Sequence, residues 1–402
     1  MNDSLNAVFS SENRRRLFLR RDRGRSIANR HPWVFTGAIE REEGSSDAAI
    51  GDLFEASGTL LASGFHSRHS QIRLRAITFG EQLSADGIRG AIADSIHRRA
   101  PLLDETTNAA RLVHSEGDGI SGLIVDQFAD VVVVQIGSAG LDRIRDLVIE
   151  TIVEQCRPRS IVLMNDTPAR KLERLPLDDV TIGEAADEVE ITEHGLRFIV
   201  ALRASQKTGF FLDQRENRRI AASFAAGRRV LNLFSYSGAF GVHAAAAGAE
   251  SVEEVDSSGA AIDLARRNHA LNGTASSVTF EVADAFAHVR WRLGESRSYG
   301  LVICDPPAFA KSRGEVDRAA RGYKDINLHA LRLVEQGGHM LTFSCSGHVS
   351  SDLFQKIIFA AALDAHRTVS IVGRLGAGVD HPVSIYCPEG EYLKGLLLRV
   401  DA

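Results

Sequence analysis

At 402 residues, with 44% hydrophobic and 25% charged side chains, the chain has the make-up of a water-soluble globular protein of two or three domains. The formal net charge of −5 argues against a uniformly basic nucleic-acid binder, and no apolar run approaches the roughly 18 residues of a membrane span. The opening stretch MNDSLNAVFSSENRRR lacks an apolar core with a small-residue cleavage site, so a cytoplasmic location without membrane attachment is expected.

Residues 14–30, RRRLFLRRDRGRSIANR, hold eight arginines and one aspartate, and HPWVFTGAI follows. Charge blocks are more often solvated arms than binding sites. Here apolar residues alternate with the arginines and lead into an aromatic strand, which predicts a folded segment suited to phosphate contact and base stacking. Arg14, Arg15, Arg16, Arg20, Arg30 and Trp33 are the expected RNA contacts. Short strands punctuated by Gly and Ser fill 50–80 and complete a β-rich module. Helical periodicity then runs over 82–107, with Ile88, Ile92, Ile96 and Leu103 on one side. Two strands, a helix near 141–155, the strand SIVLMND and the hairpin EVEITEHGLRFIVAL complete a middle α+β region.

From about residue 228, apolar strands alternate with helices, the pattern of a parallel sheet covered by helices. The tail departs from it: RTVSIVGRLG and the final EYLKGLLLRV place two β segments with no helix between. An antiparallel hairpin ending a parallel sheet predicts a Rossmann-like, seven-stranded methyltransferase layout. The expected domains are a β-rich barrel at 14–80, an α+β domain at 81–195 and an α/β domain at 196–402.

NLFSYSGAFGVHAAAAGA follows the first strand of the last block. Glycines at 238 and 241 let a ligand approach the backbone, and a helix N-terminus offers free N–H groups. The loop is not G-x-G-x-x-G, and such turns are often structural. Asp256 ends the next strand, where an acid suits ribose hydroxyls, and Asp284 ends the third, near the place of an adenine amino group. Either aspartate could instead be a helix N-cap. Three polar strand ends in series favour a nucleoside pocket, which NAD and S-adenosylmethionine would share. The stretch ICDPPAF, 303–309, separates them: two prolines stiffen the loop and leave its carbonyls presented. That suits pressing a planar base against a methyl donor, with Phe309 either stacking on the base or packing in the core.

The four cysteines, Cys156, Cys304, Cys345 and Cys387, form no CxxC, so neither disulfides nor a metal site are expected. In this layout Cys345, in TFSCSG, ends the strand beside the one ending at Asp305, and the two should face one crevice. Cys304 points to the opposite side of the sheet. A thiol there serves one methyl transfer in particular. Carbon 5 of cytosine is a poor nucleophile, and thiolate addition at carbon 6 makes it enamine-like. Transfer to an exocyclic amine needs no thiol.

With these residues assembled, the chain resembles the S-adenosylmethionine-dependent 23S ribosomal RNA cytosine-C5 methyltransferases with an N-terminal PUA domain. The fragments that carry the resemblance are NRHPWVFTGAI, SEGDGISGLIVDQF, KTGFFLDQR, LNLFSYSGAF, DPPAF, RGYKDIN, TFSCSG, DHPV and PEGEYLKG, which span nearly the whole chain. The resemblance implies Cys345 as nucleophile and a cofactor loop of Ser235, Tyr236, Ser237 and Gly238. It further implies cofactor contacts at Asp256 with Ser257, Asp284 with Ala285, and Asp305, Pro306 and Pro307. Lys207, Thr208, Asp213 and Arg215 would border cofactor and substrate, with Arg215 on the RNA side. Arg321, Tyr323 and Lys324 would also contact RNA. Other RNA cytosine-C5 methyltransferases carry a Pro-Cys pair where this chain has Asp305-Pro306, so Asp305 is the expected carbon-5 base. S-adenosylmethionine is the implied cofactor, leaving as S-adenosylhomocysteine. The implied partner is 23S ribosomal RNA or a large-subunit precursor, and a homodimer is left open. One alternative is methylation of an rRNA purine with no covalent adduct; another is an RNA-binding assembly factor with a vestigial pocket, which the intact strand-end acids disfavour.

Overall fold

Six short strands build the N-terminal sheet of the computed structural model, which describes residues 7–185, 187–202 and 209–401. They are β1 (Arg15–Leu19), β2 (Trp33–Phe35), β3 (Ile39–Glu43), β4 (Ile50–Phe54), β5 (Leu60–His66) and β6 (Ile72–Phe79), in the spatial order β2-β6-β5-β4-β1-β3. Leu17, Leu19, Val34, Leu53 and Leu74 make its own core. A second sheet, ordered β11-β10-β9-β8-β7, contains β7 (Ala109–His114), β8 (Leu123–Phe128), β9 (Val131–Ile136), β10 (Ser160–Leu163) and β11 (Val180–Gly183). The run Val131–Val134 is buried throughout, as β-branched residues covered on both faces should be. Helices α1 (Ala85–Arg99) and α2 (Arg145–Cys156) pack with this sheet, α1 starting where the Ser84 side chain accepts from the Gly87 N–H.

The expected boundary near residue 80 separates two sheets but not two cores. Ala49, Ile50 and Phe65 from the first sheet share a core with Ile88, Leu112, Val125, Val134 and Leu147. Arg75 on β6 meets the buried Glu173 at 2.8 Å. One compact unit therefore holds the chain up to Val189, together with Leu202 and the distant segment Asp380–Gly390.

The second unit comprises Glu190–Ala201, Gly209–Val379 and Glu391–Ala402. Its seven-stranded sheet runs β16-β15-β14-β17-β18-β20-β19. After α3 (Arg215–Ala222) come β14 (Arg229–Leu233), α4 (Ala239–Ala246), β15 (Ser251–Asp256), α5 (Gly259–Leu271) and β16 (Val278–Val282). Then follow α6 (Ala285–Gly294), β17 (Tyr299–Cys304), α7 (Val316–Leu333), β18 (Val334–Ser344), α8 (Ser351–Ala365), β19 (Val369–Leu375) and β20 (Lys394–Val400). All neighbours from β16 to β18 are parallel, and β20 runs antiparallel to both β18 and β19. The sheet is wound outward in both directions from β14 and β17, which places the switch point of a doubly wound sheet between them. No helix among the described residues is long and apolar enough to cross a membrane.

The hairpin β12 (Glu188–Glu193) and β13 (Leu196–Ala201), expected to close the middle domain, joins the second unit for most of its length. The Arg197 and Ile199 N–H groups donate to the side chains of Asn272 and Asn268 beside α5, and Phe198 stacks on His243 of α4.

Candidate active site

The loop after β14 is backbone under strain. Phe234, Tyr236 and Gly238 all adopt positive φ, at 59°, 47° and 72°. Only the last is glycine, and left-handed backbone costs other residues on the order of 1 kcal/mol or more each. Fixed partners hold the shape. The Ser235 N–H donates to Val255 O at 3.0 Å, the Tyr236 N–H to Asp256 Oδ2 at 2.9 Å, and the Tyr236 hydroxyl to Gly209 O at 3.1 Å. Ser237 is buried, and its carbonyl accepts from Asn268 Nδ2 at 2.9 Å. The Ser235 hydroxyl is buried and, among the described residues, makes no hydrogen bond. An orphaned hydroxyl and the free N–H groups of α4 facing one loop fit a polar ligand.

Asp256 ends β15 half-buried; its Oδ1 accepts from the Ser258 N–H, leaving lone pairs on both oxygens. Asp284 is exposed and caps α6 by accepting from the Ala287 N–H at 2.9 Å. The N-cap reading thus holds at Asp284, whose second oxygen stays available to a ligand. Ser257 is exposed beside Asp256, and Ala285 is buried in the first turn of α6. Gly241 serves the fold: a Cβ there would lie 1.7 Å from Glu254 Oε1. Glu254 is fully buried and pairs with His269 at 2.9 Å under the loop. Lys207 and Thr208 lie outside the described residues.

Cys345 was expected to face one crevice with Asp305, and it lies against the residue that follows Asp305. Cys345 follows β18 half-buried, its thiol 3.7 Å from the Pro306 carbonyl. Pro307 beyond it is exposed. Asp305 Oδ2 accepts from Gln214 Nε2 at 2.9 Å, and Gln214 Oε1 accepts from Asn217 at 2.6 Å. The buried Asp213 accepts from the Tyr392 hydroxyl at 2.5 Å. Cys304 is fully buried in the opposite core beside Tyr299 and Val302, and burial pushes its thiol up. Burial likewise raises Cys156 to about 11. Phe309 packs on Tyr323 at 4.6 Å and on Phe286, which realises its core reading. Sequence reasoning missed Gln214, Asn268 and Lys394. The first and last lie inside quoted motifs, whereas nothing local marks Asn268.

Several expected RNA contacts sit elsewhere. Arg14 is buried: it pairs with Asp52 at 2.9 Å and donates to the Phe9 and Leu83 carbonyls. Arg215 is buried 3.8 Å from Glu193. Tyr323 is fully enclosed, its hydroxyl 2.9 Å from Ser346 Oγ. These three are internal and cannot present themselves to an RNA surface. Arg15 pairs with Glu42, and Arg16 with Glu43 while covering Phe18 and Phe54. Arg20 and Arg30 are exposed, and Arg20 and Arg21 line an open pocket of about 350 Å³ together with Gly24, Glu55 and Leu61. Trp33 is half-buried, its indole N–H donating to Glu116 at 2.9 Å. Arg321 is exposed, and Lys324 pairs with Asp364.

The donors of His31, Cys387 and Glu389 lie within 4.8 Å of one another, a grouping that the scattered cysteines did not predict. His31 Nδ1 accepts from the Trp33 N–H, which puts the imidazole proton on Nε2, facing Glu389. Burial and the nearby Glu116 and Glu389 hold the Cys387 thiol up at about 12. The three side chains thus make a hydrogen-bonded cluster.

A family model described as an S-adenosylmethionine-dependent methyltransferase matches residues 176–383, and a PUA-like domain model matches 17–79. The Ribosomal RNA large subunit methyltransferase I of Shewanella denitrificans is 42% identical over 393 residues, covering 96% of this chain and 99% of its own. That of Pseudoalteromonas atlantica is 41% identical over 391 residues, with the same coverage. Among solved structures, a methyltransferase complexed with SAH aligns at TM-score 0.83 and 20% identity, over 96% of this chain and 100% of its own. One from Streptococcus mutans aligns at 0.81 with the same identity and coverage. These two share the fold.

Proposed function

Because the chain belongs to the family of ribosomal RNA large subunit methyltransferase I and methylates ribosomal RNA from S-adenosylmethionine, we propose that its target is carbon 5 of a cytosine in 23S ribosomal RNA, reached through a covalent Cys345 adduct. The observation that supports this reading is the position of Cys345, at the carboxyl end of β18 and against the loop that begins at Asp305. A bystander thiol would be expected inside the sheet, where Cys304 lies.

When bound, the cofactor supplies an electrophilic methyl group on a sulfonium. The orphaned Ser235 hydroxyl, the α4 N-terminus, Asp256 and Asp284 are the groups that would hold it. The Cys345 sulfur bonds to carbon 6 of the flipped base, and the electron pair of the 5,6 double bond moves to carbon 5, which takes the methyl. Asp305 accepts the carbon-5 proton, the double bond re-forms, and the carbon–sulfur bond breaks to release the thiolate. Gln214 aims the Asp305 carboxylate. Flipping the base costs a few kcal/mol, which contacts from the exposed Arg20 and Arg30 and the half-buried Trp33 would offset.

The test is nucleoside mass spectrometry of ribosomal RNA treated with purified protein. Cys345→Ala should keep cofactor binding by calorimetry and lose 5-methylcytosine by at least about a thousandfold. A methylated purine as product, or retained 5-methylcytosine, would sink the reading.

A further inference from the structure

Lys394 opens β20 opposite Ser344 of β18, the residue before Cys345. It is buried, with 6% exposure, and its Nζ donates to the Ser346 carbonyl at 2.8 Å. A lysine is rarely enclosed without a charged partner. The Ser346 carbonyl fixes where the ammonium sits but does not neutralise it.

Other groups around the thiol come from different elements. Tyr323 rises from α7 and meets Ser346 Oγ, which also accepts from the Ala310 N–H. Asp305 lies on the loop after β17, held by Gln214. His348, three residues beyond Cys345, is exposed. Glu391 lies near Lys394 from the chain just before β20. Two of these groups, Asp305 and Glu391, carry carboxyls, which would oppose a thiolate at Cys345; Lys394 is the buried basic side chain held on the residue next to it.

We propose that Lys394 is a positioning residue whose ammonium, pinned on the Ser346 carbonyl, makes the Cys345 sulfur a thiolate before cofactor or RNA arrives. Burial pulls the Lys394 ammonium below its usual range, and Glu391 and then Cys345 act against that pull. The inference rests on the reading of Cys345 as nucleophile, but its test does not need methyl transfer.

The probe is iodoacetamide on the purified full-length protein without cofactor, with alkylation of the Cys345 peptide followed by mass spectrometry from pH 5 to 10. Wild-type Cys345 should react with a midpoint below about 8.5, the ordinary thiol value. Lys394→Met should raise that midpoint by about one unit or more, and Lys394→Arg should restore most of the difference. A Lys394→Met midpoint matching wild type overturns the proposal. Should that variant not fold, a wild-type midpoint at or above about 8.5 overturns it equally. A shifted midpoint in a protein that makes no 5-methylcytosine keeps the lysine–thiol pairing and removes only the assigned chemistry. Formation of 5-methylcytosine with an unshifted midpoint does the reverse.

Discussion

Tyr323 sits between Phe309 and Phe354, and its only polar atom meets Ser346, the residue after the proposed nucleophile. Its place in RGYKDIN made it look like an RNA contact, yet nothing in that fragment reveals which helical face turns inward. The same holds for Arg14, whose partner Asp52 is 38 residues away, and for Arg215 against Glu193. Charge type is legible locally; the neutralising partner is not, because strand pairing brings it from elsewhere. Tyr323→Phe keeps the ring and deletes the hydroxyl. It should cost about 1 kcal/mol in urea unfolding, and loosening Ser346 should lower kcat several-fold with KM for RNA unchanged. A raised KM with kcat intact would return Tyr323 to the RNA surface.

At the level of elements, the alternation of strands and helices after residue 228 was readable, α5 at Gly259–Leu271 to the residue, because β14, β15 and β17 are parallel strands buried on both faces, whereas the start of α7 at Val316 was not. The hairpin β12–β13 was harder to assign. Its alternating pattern specifies one covered face but not which layer covers it. Asn268, at 0% exposure, settles that contact: Oδ1 accepts from Ile199 N–H at 2.8 Å while Nδ2 donates to the Ser237 carbonyl. One side chain therefore ties the hairpin to the strained loop after β14. Asn268→Ala strands two buried groups and should cost about 2–4 kcal/mol. Asn268→Asp keeps the acceptor for Ile199 and loses the donor to Ser237. It should weaken S-adenosylmethionine binding about tenfold by calorimetry while unfolding later than the alanine variant. Equal cofactor affinity in Asn268→Asp and wild type would show that the Ser237 carbonyl needs no restraint.

On the scale of the whole molecule, the first unit recruits Asp380–Gly390 from far along the chain, and buried charge holds it there. The Arg111 N–H donates to Asp380 Oδ2 at 3.0 Å, Arg99 donates to the Asp380 carbonyl, and His381 lies 5.0 Å from His114, centroid to centroid. DHPV was legible as a motif, but a return of the chain to the N-terminal unit leaves no periodic trace. Burial, and then the nearby Arg111 and His381, hold His114 down at about 3 against the pull of Asp126 and Asp118. The folded unit thus keeps His114 neutral at pH values where the unfolded chain, with its histidine near 6.5, takes up a proton. Stability from this group is complete above about pH 6.5 and drains as pH falls toward about 3. From pH 7.5 to 5.5 the loss from this one site is about 1.4 kcal/mol, before most carboxylates begin to titrate. His114→Gln removes the titration and should flatten the fall in unfolding free energy over that interval by the same amount. Parallel slopes for variant and wild type in urea melts at the two pH values would show that His114 protonates as readily in the fold as outside it.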